Sequence, residues 1–400
     1  MRKRRRKKPQ IFMKTFLKKI EAVIYSGKEL DPSFLSIFLL TISFCYTAAM
    51  GLRGYLYKFG IFRTNRLPCA VISIGNITVG GTGKTPMTIY TAGLVKKLGY
   101  KVVVISRGYK GAAEKKGGIV SDGKNILMDC KTAGDEPLMI AEKLNGIPVI
   151  VGKNRFASGK IAIQRFNPDV IILDDAFQHI SLMRDLNLLL LDQKKPFGNN
   201  HIVPRGILRE PVSSVLRSDA LIFTRSDPKK PNIQHAEKFI NKESFTSWHS
   251  PFIHKIIKGN NGKNKKDGGG NQKQKNDIIT QKNIFAFSGI ADNVNFLTTL
   301  KELKCNIKGF LEFKDHHQYS SEDVDDILQS ALNSNADMIA TTYKDYVKLT
   351  PALPWPMDLA VIDVAISFGK NKEKFSNYME TKLVRITSMP CRAQQNMKMR

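Results

Sequence analysis

Residues 69–86 read CAVISIGNITVGGTGKTP. The apolar run at 69–75 predicts a buried strand, and the glycine-rich turn after it ends in Gly-Lys-Thr at 83–85. A strand, a glycine-rich turn and Gly-Lys-Thr at the start of a helix are typical of a P-loop, in which backbone N–H groups surround phosphate oxygens. Thr78 stands where the strict pattern has its first glycine, and the two glycines at 80–81 compensate for it. The stretch therefore predicts a phosphate-binding loop.

This loop predicts ATP and Mg²⁺ as cofactors. Lys84 would reach the β- and γ-phosphates, and the hydroxyl of Thr85 would bind Mg²⁺. The loop residues expected at the nucleotide are Asn76, Thr78, Gly80, Gly81, Thr82, Gly83, Lys84 and Thr85.

Residues 170–175, VIILDD, have the form of a strand that ends in acid. An acid at the carboxyl end of a parallel strand lies beside the nucleotide, where Asp174 can hold Mg²⁺ through water. A strand that ends in a solvated Asp is common, so this interpretation depends on the P-loop upstream. Gln178 and His179 follow on the same loop, and His179 is equally compatible with a structural capping role.

Two further polar segments are candidates for catalysis. Asp135 and Glu136 begin a predicted helix. They are either capping residues of that helix, or one of them is a general base for an acceptor hydroxyl. His316 and His317 form the one adjacent histidine pair in the sequence. No Cys or Glu completes a metal-ligand set around them, so we expect catalysis or polarisation of a carboxylate rather than metal binding.

The chain is strongly basic, with 63 Lys plus Arg against 35 Asp plus Glu and a formal net charge of +28. Such a surface binds anions: nucleic acid, anionic lipid or a phosphorylated substrate. Because no nucleic-acid recognition motif accompanies the charge, we expect no nucleic-acid partner. Five widely spaced cysteines form neither a disulfide framework nor a zinc pattern, and a reducing compartment fits them best.

Residues 32–52 carry no charge and are strongly apolar. Their length is close to the lower limit for crossing a bilayer, so an interfacial helix, a true span and a buried core helix are all compatible with it. A cleaved signal peptide is disfavoured because some thirty residues precede the segment. Basic residues flank it on both sides, which favours a helix on an anionic inner leaflet.

Near-continuous apolar runs alternate with helical segments along the chain, which predicts an α/β fold. We expect a P-loop NTPase-like parallel sheet core, a second, smaller α/β lobe and an N-terminal membrane-associated helix. The expected boundaries are 1–65 for the basic N-terminus and apolar helix, 66–255 for the P-loop domain, 256–282 for a flexible Lys/Gly/Asn-rich insertion, 283–380 for the second lobe and 381–400 for a basic tail.

Six motifs in order resemble those of the tetraacyldisaccharide 4'-kinase (lipid A 4'-kinase) family. They lie at 75–86, 105–109, 134–137, 173–179, 206–210 and 315–319. The resemblance implies transfer of the ATP γ-phosphate to the 4'-hydroxyl of a tetraacylated glucosamine disaccharide 1-phosphate. It also implies two α/β lobes with the site between them, on the cytoplasmic face of the bacterial inner membrane.

The resemblance assigns roles to further residues. It implies that Asp135 pairs with His316 to activate the acceptor hydroxyl. The residues that it places at Mg²⁺ or nucleotide are Glu136, Asp174, Asp175, Gln178 and Arg209. The family's usual Thr-Thr-Glu-Lys-Asp appears here with Tyr343 in place of the acid. A membrane-bound P-loop switch or partition ATPase is the alternative, and it differs in hydrolysing ATP without a lipid acceptor.

Overall fold

A computed structural model describes residues 20, 23–24, 33–227, 242–259, 278–349 and 355–388. Most of the expected insertion and the end of the expected basic tail lie outside these residues. By contacts the chain divides into two compact units. Unit 1 contains residues 1–67, 71–82 and 175–247, and unit 2 contains residues 68–70, 83–174 and 248–400.

The described residues form the following strands and helices, with short 3₁₀ turns at Val212–Arg217 and Gly369–Asn371. The strands are β1 Ala70–Asn76, β2 Val102–Ser106, β3 Gly118–Ser121, β4 Val149–Val151, β5 Val170–Asp174, β6 Leu186–Asp192, β7 Ala220–Thr224, β8 Glu243–Thr246, β9 Trp248–Ile257, β10 Asn283–Ser288, β11 Asn306–Glu312, β12 Met338–Thr342 and β13 Leu359–Ser367. The helices are α1 Phe34–Lys58, α2 Lys84–Lys97, α3 Cys130–Ala133, α4 Asp135–Lys143, α5 Arg155–Phe166, α6 Asn293–Glu302, α7 Ser321–Asn333, α8 Tyr343–Tyr346 and α9 Lys372–Thr387.

Unit 1 is built on parallel strands in the order β1-β6-β7-β8. β1 and β7 are buried along their whole length, as strands of a parallel sheet covered on both faces should be. One apolar cluster of this unit joins Ile77, after β1, to Phe177 and to side chains of β6 and β7. This packing fixes the place where β1 runs into the glycine-rich loop.

Unit 2 contains two groups of paired strands. In the first, β2 pairs in parallel with β4 and β5, and β3 is antiparallel to β4. The second is a five-stranded sheet in the order β11-β10-β12-β13-β9, in which β9 alone is antiparallel to its neighbour. Apolar clusters cover the second sheet, with Phe287 and Ile284 of β10 in two of them.

The predicted α/β class with large parallel strand arrays is confirmed. The edge strands β3, β8, β9 and β11 were not predicted, because they are short or their apolar runs are broken by polar residues. β9 begins inside the range 66–255 that the sequence assigned to the P-loop domain, yet it pairs with β13 of the second sheet. Similarly, α9 continues to Thr387, inside the range expected for the tail.

Helix α1 has 25 residues and is long and apolar enough to cross a membrane by length and composition. Its buried face consists of Ser36, Leu39 and Ser43, and Ser43 Oγ donates a hydrogen bond of 2.7 Å to the carbonyl of Ile202. Most of its large apolar side chains are exposed, with Phe34 87% exposed. The structure is therefore not consistent with a buried core helix, one of the three possibilities that the sequence left open.

Candidate active site

The start of the glycine-rich loop is held from within unit 1. Asn76 ends β1, is fully buried, and donates a hydrogen bond of 2.9 Å from its side-chain amide to Thr82 Oγ1. The same amide lies 3.4 Å from Thr78 Oγ1. Gln178 Nε2 donates to the carbonyl of Asn76 at 2.7 Å. The structure thus brings together Asn76, Thr78, Thr82 and Gln178, all predicted at the nucleotide, and uses their side chains to shape the loop.

The later part of the loop is held by residues that follow other strands of unit 1. Arg225 donates to the carbonyl of Gly81 at 2.7 Å and forms an ion pair with Asp192. Thr224 Oγ1 donates to the carbonyl of Thr82 at 3.0 Å. Neither Arg225 nor Thr224 was predicted from the sequence. Their position at the end of β7, the edge where parallel α/β sheets bind ligands, was the available signal.

Two glycines of the motif are required by geometry. Gly75 approaches Phe177 so closely that an added Cβ would lie 2.7 Å from the Phe177 Cβ. Gly83 has a left-handed φ of +83° and precedes the first residue of α2. Its added Cβ would lie 2.5 Å from His249 Nε2. Lys84 therefore begins a helix, where the helix N-terminus favours negative phosphate charge.

Asp174 ends β5 in unit 2 and is 1% exposed. Its two carboxylate oxygens accept hydrogen bonds from Thr88 at 2.9 Å and from Ser106 at 3.0 Å. Thr88 lies on α2, one turn after Lys84. The predicted acid at the strand end is thus fixed to the same helix that carries the P-loop lysine.

Asp175 and Arg209 form an ion pair in unit 1. Arg209 Nη1 lies 3.1 Å from each of the two Asp175 carboxylate oxygens. The backbone N–H of Arg209 donates to the carbonyl of Ile77 at 2.7 Å, which ties this arginine to the glycine-rich loop. Asp175 itself has a left-handed φ of +45°, a conformation that is uncommon for a residue other than glycine.

The two residues expected to form a catalytic pair are in direct contact in unit 2. His316 Nδ1 lies 2.8 Å from Asp135 Oδ2, and Asp135 is 5% exposed. Burial alone would raise the pKa of Asp135, but the hydrogen bond with His316 and the charge of Lys344 hold this pKa below its ordinary value. His316 has a φ of +59°, a backbone conformation that costs about 1–2 kcal/mol in a residue other than glycine. The carboxylate is therefore ionised and oriented.

The two carboxylate oxygens of Asp135 have different partners. Asp135 Oδ1 accepts the N–H of Glu136 at 2.9 Å, so one oxygen of Asp135 serves the helix start while the other faces His316. The adjacent His317 points elsewhere, with Nε2 3.0 Å from an oxygen of Asp323 in the capping box of α7. The histidine pair thus has one member at the candidate site and one in a helix cap.

Lys344, which sequence analysis did not assign to the site, lies at its centre. Its Nζ is 3.0 Å from Asp315 Oδ1, 3.3 Å from His316 Nε2, 3.8 Å from Glu136 Oε1 and 3.9 Å from Asp135 Oδ2. Burial alone would lower the pKa of Lys344, but the surrounding carboxylates raise this pKa above its ordinary value. The neighbouring Tyr343, which replaces the family's acid, instead donates its hydroxyl to Glu142.

The oxygen ligands present fit Mg²⁺. Burial raises the pKa of Glu136, and among its charged neighbours Lys344 lowers it while the carboxylates of Asp174 and Asp135 add to the increase. A cation would relieve this repulsion. Among the described residues no group of three or more His, Cys, Asp or Glu could hold a metal ion alone. Mg²⁺ at a nucleotide keeps water and phosphate oxygens as ligands, so one or two carboxylates with the Thr85 hydroxyl are sufficient.

A P-loop alone is compatible with a nucleotide-driven switch. A buried carboxylate in contact with a histidine can accept a proton from an acceptor hydroxyl, as phosphate transfer by a kinase requires. Fold and site together define the class as a P-loop kinase. The chain belongs to the tetraacyldisaccharide-1-P 4'-kinase family, whose family model matches residues 35–384.

Relatives and a solved structure agree with this membership. Tetraacyldisaccharide 4'-kinase of Desulfatibacillum aliphaticivorans is 39% identical over 374 residues, which cover 93% of this chain and 99% of the relative. The same enzyme of Syntrophus aciditrophicus is 41% identical and covers 81% of this chain and 87% of the relative. The crystal structure of LpxK from Aquifex aeolicus in complex with ATP matches with a TM-score of 0.66 at 30% identity, and covers 88% of this chain and all of that chain.

Proposed function

We propose that this protein transfers the γ-phosphate of ATP to the 4'-hydroxyl of a tetraacylated glucosamine disaccharide 1-phosphate. The observation that supports this reaction best is the contact between Asp135 and His316, in the same unit as Lys84. The bond between the hydroxyl oxygen and the γ-phosphorus forms as the bond from phosphorus to the β,γ-bridging oxygen breaks. ADP leaves, and the hydroxyl proton passes to the Asp135 carboxylate.

The roles of the remaining residues follow from their positions. Residues 75–85 would surround the phosphates, and Lys84 would neutralise charge on the transferred group. Gln178 fixes the beginning of that loop, and Arg209 lies beside it with Asp175. The residues that would hold Mg²⁺ are Thr85, Glu136, Asp174 and Asp175. Bound there, the ion would neutralise charge on the β- and γ-phosphate oxygens.

His316 would act on the proton rather than on phosphate. An unperturbed Asp has a pKa near 3.9 and is a weak base for a sugar hydroxyl. The imidazole donates its Nδ1–H to Asp135 and so holds the carboxylate in one orientation. The side chain of His316 is itself only 15% exposed. Such orientation and proton sharing are the contributions that side chains can add to phosphoryl transfer.

We also propose that α1 attaches the protein to the cytoplasmic face of the inner membrane. The large exposed side chains of this helix are apolar, including Phe34, Phe38 and Phe44. Its protein-facing side is instead small and polar at Ser36 and Ser43. This distribution is the reverse of an ordinary surface helix, and it suits a helix whose outward face enters lipid. The basic residues at 2–8 would add attraction to anionic head groups.

One assay tests the reaction. Purified protein is incubated with γ-labelled ATP, Mg²⁺ and the tetraacylated disaccharide 1-phosphate in detergent, and the lipid fraction is analysed for label at the 4'-position. We expect labelled lipid and ADP in equal amounts, with little ATP turnover when the acceptor is omitted. ATP hydrolysis that proceeds equally without acceptor, and without labelled lipid, would reject the kinase in favour of a switch or partition ATPase.

A further inference from the structure

The environment of Lys344 is unusual for a lysine that forms part of a short helix. Its side chain is largely buried, and its ammonium lies within 4 Å of three carboxylates and of the His316 ring. Those carboxylates belong to Asp135, Glu136 and Asp315. These groups come from separate parts of unit 2, and Lys344 is where they meet.

The hydrogen bonds at His316 constrain which ring nitrogen carries the proton. Asp135 Oδ2 lies 2.8 Å from His316 Nδ1, and a carboxylate oxygen accepts from a ring nitrogen that carries the proton. An ammonium group can only donate, so the contact of 3.3 Å with Lys344 requires His316 Nε2 to accept. Asp315 Oδ2, 3.6 Å from the same nitrogen, favours the opposite arrangement, in which Nε2 donates. The Lys344 ammonium lies 3.3 Å from His316 Nε2 and 3.0 Å from Asp315 Oδ1, so it is closer to each group than they are to one another. It therefore favours the arrangement in which Nε2 accepts.

We propose that Lys344 is a positioning residue of the phosphoryl transfer, which fixes the tautomer of His316 with the proton on Nδ1 and thereby aligns the Asp135 carboxylate with the acceptor hydroxyl. This inference rests on the proposed function. Without the ammonium, Asp315 becomes the nearest partner of His316 Nε2, and the ring can turn toward it. Asp315 would then compete with Asp135 for the ring proton of His316.

A purely structural role for the charge is the competing explanation, and unit 2 offers a matched control. Lys143 is also a mostly buried lysine in an ion pair, with Asp363, and it lies over the ring of Tyr343. Neither of these contacts involves Asp135 or His316. Lys143→Met therefore removes a buried ammonium from the same unit and leaves the catalytic pair in place.

The experiment compares Lys344→Met, Lys344→Arg and Lys143→Met, with kcat and the KM for ATP measured by the labelled-lipid assay and folding checked by thermal unfolding. General base catalysis is worth about 10²–10⁴-fold, so we expect Lys344→Met to lower kcat by about 10–10³-fold. The KM for ATP should change little. Lys344→Arg keeps the charge and the donors, and it should recover part of the loss. Lys143→Met should retain kcat.

The decisive measurement repeats Lys344→Met in the His316→Ala background. If Lys344 acts through His316, the substitution in this background should change kcat by no more than about twofold. A change of that size is within the error with which measured effects of substitutions usually add. An equal loss in both backgrounds, or a Lys344→Met kcat equal to that of Lys143→Met, would overturn the inference. If Lys344→Met does not fold, Lys344→Gln is measured instead: it keeps a donor for Nε2 and should retain most of kcat, and a loss of about 10-fold or more would overturn the inference. Failure of the wild-type protein to label lipid would reject the proposed function itself.

Discussion

His316 Nδ1 and Asp135 Oδ2 lie 2.8 Å apart although 181 positions separate the two residues in the chain. Asp135 is the first residue of α4, and His316 lies in the loop after β11. The contact therefore depends on the packing of unit 2 as a whole. A pair assembled from such distant segments, buried and held in a strained backbone at His316, is typical of a functional site.

Removal of either member of this pair should reduce the chemical step. We expect Asp135→Ala and His316→Ala each to lower kcat by about 10²–10⁴-fold, because each removes the oriented base. The KM for ATP should change little. Because the two side chains act as a unit, the double variant should be scarcely slower than either single variant. Steady-state kinetics of the four proteins measures this, and losses that multiply would show that the residues act separately.

Lys84 tests the phosphate-binding loop. Lys84→Ala should lower kcat by about 10²–10³-fold or more, because a positive charge directed at the transferred phosphate is lost. Folding should be retained, since the loop is also held by Asn76, Gln178 and Arg225. Kinetics with circular dichroism checks both expectations. A near wild-type rate would show that the glycine-rich loop does not hold the reacting phosphate.

The sequence predicted the parts of the site that are continuous in the chain. Residues 69–86 contain the strand, the turn and the helix start, and the local sequence is sufficient to predict all three. β5 with its terminal Asp174 was predicted for the same reason. β9 was missed because its sequence, WHSPFIHKII, neither alternates regularly between apolar and polar residues nor forms a continuous apolar run. Pro251 is also unfavourable in most strands. Its position depends on pairing with β13.

Residues that act through tertiary contacts were beyond the sequence alone. The pairing of Asp135 with His316 came from the family resemblance, since spacing cannot reveal a contact across so many residues. Lys344 lies in the stretch that matches the family's Thr-Thr-Glu-Lys-Asp, but its partners could not be read from that motif. Arg225 was not recognised, because a single Arg in a basic chain carries no signal until its partners are known. The individual roles of the nucleotide, metal and catalytic residues, and the domain boundary at residue 255, stay predictions.

The capping box of α7 provides a stability test that is independent of catalysis. Asp323 accepts hydrogen bonds from the backbone and side chain of Ser320, and with His317 these hold the pKa of Asp323 below its ordinary value. At pH 7, Asp323→Asn should lower the free energy of unfolding by about 1 kcal/mol. Because the folded pKa is depressed, this contribution is present above the unfolded pKa of about 3.9 and is lost as the pH falls through the folded value.

Urea unfolding of both proteins at several pH values between 7 and 3.5 checks this prediction. The difference between wild type and Asp323→Asn should begin to shrink as the pH falls below about 4. Asp326→Asn removes an exposed carboxylate from the same helix and serves as the control, with an expected change within about 0.5 kcal/mol. A loss of stability that is independent of pH would mean that the shape of Asp323, rather than its charge, stabilises the helix start.

The outward face of α1 should determine membrane attachment. Phe34, Phe38 and Phe44 are 87%, 54% and 74% exposed. Burial of each phenyl ring in lipid would contribute about 1.5–3 kcal/mol. The triple substitution to Ser should therefore move the full-length protein from the membrane fraction toward the soluble fraction. The protein-facing residues of α1 are unchanged in this variant, so ATP binding should persist.

Salt separates apolar insertion from charge attraction, because it screens charges and leaves apolar burial intact. In high salt the wild-type protein should stay with membranes, whereas the triple Phe variant should be released. The matched control places Ser at three exposed apolar positions of unit 2, Val294, Leu332 and Val384, and should fractionate like wild type. Retention of the triple Phe variant in high salt would place the attachment outside α1. Release of the wild-type protein by salt alone would instead show that the basic surface, with its excess of Lys and Arg, holds it to the membrane.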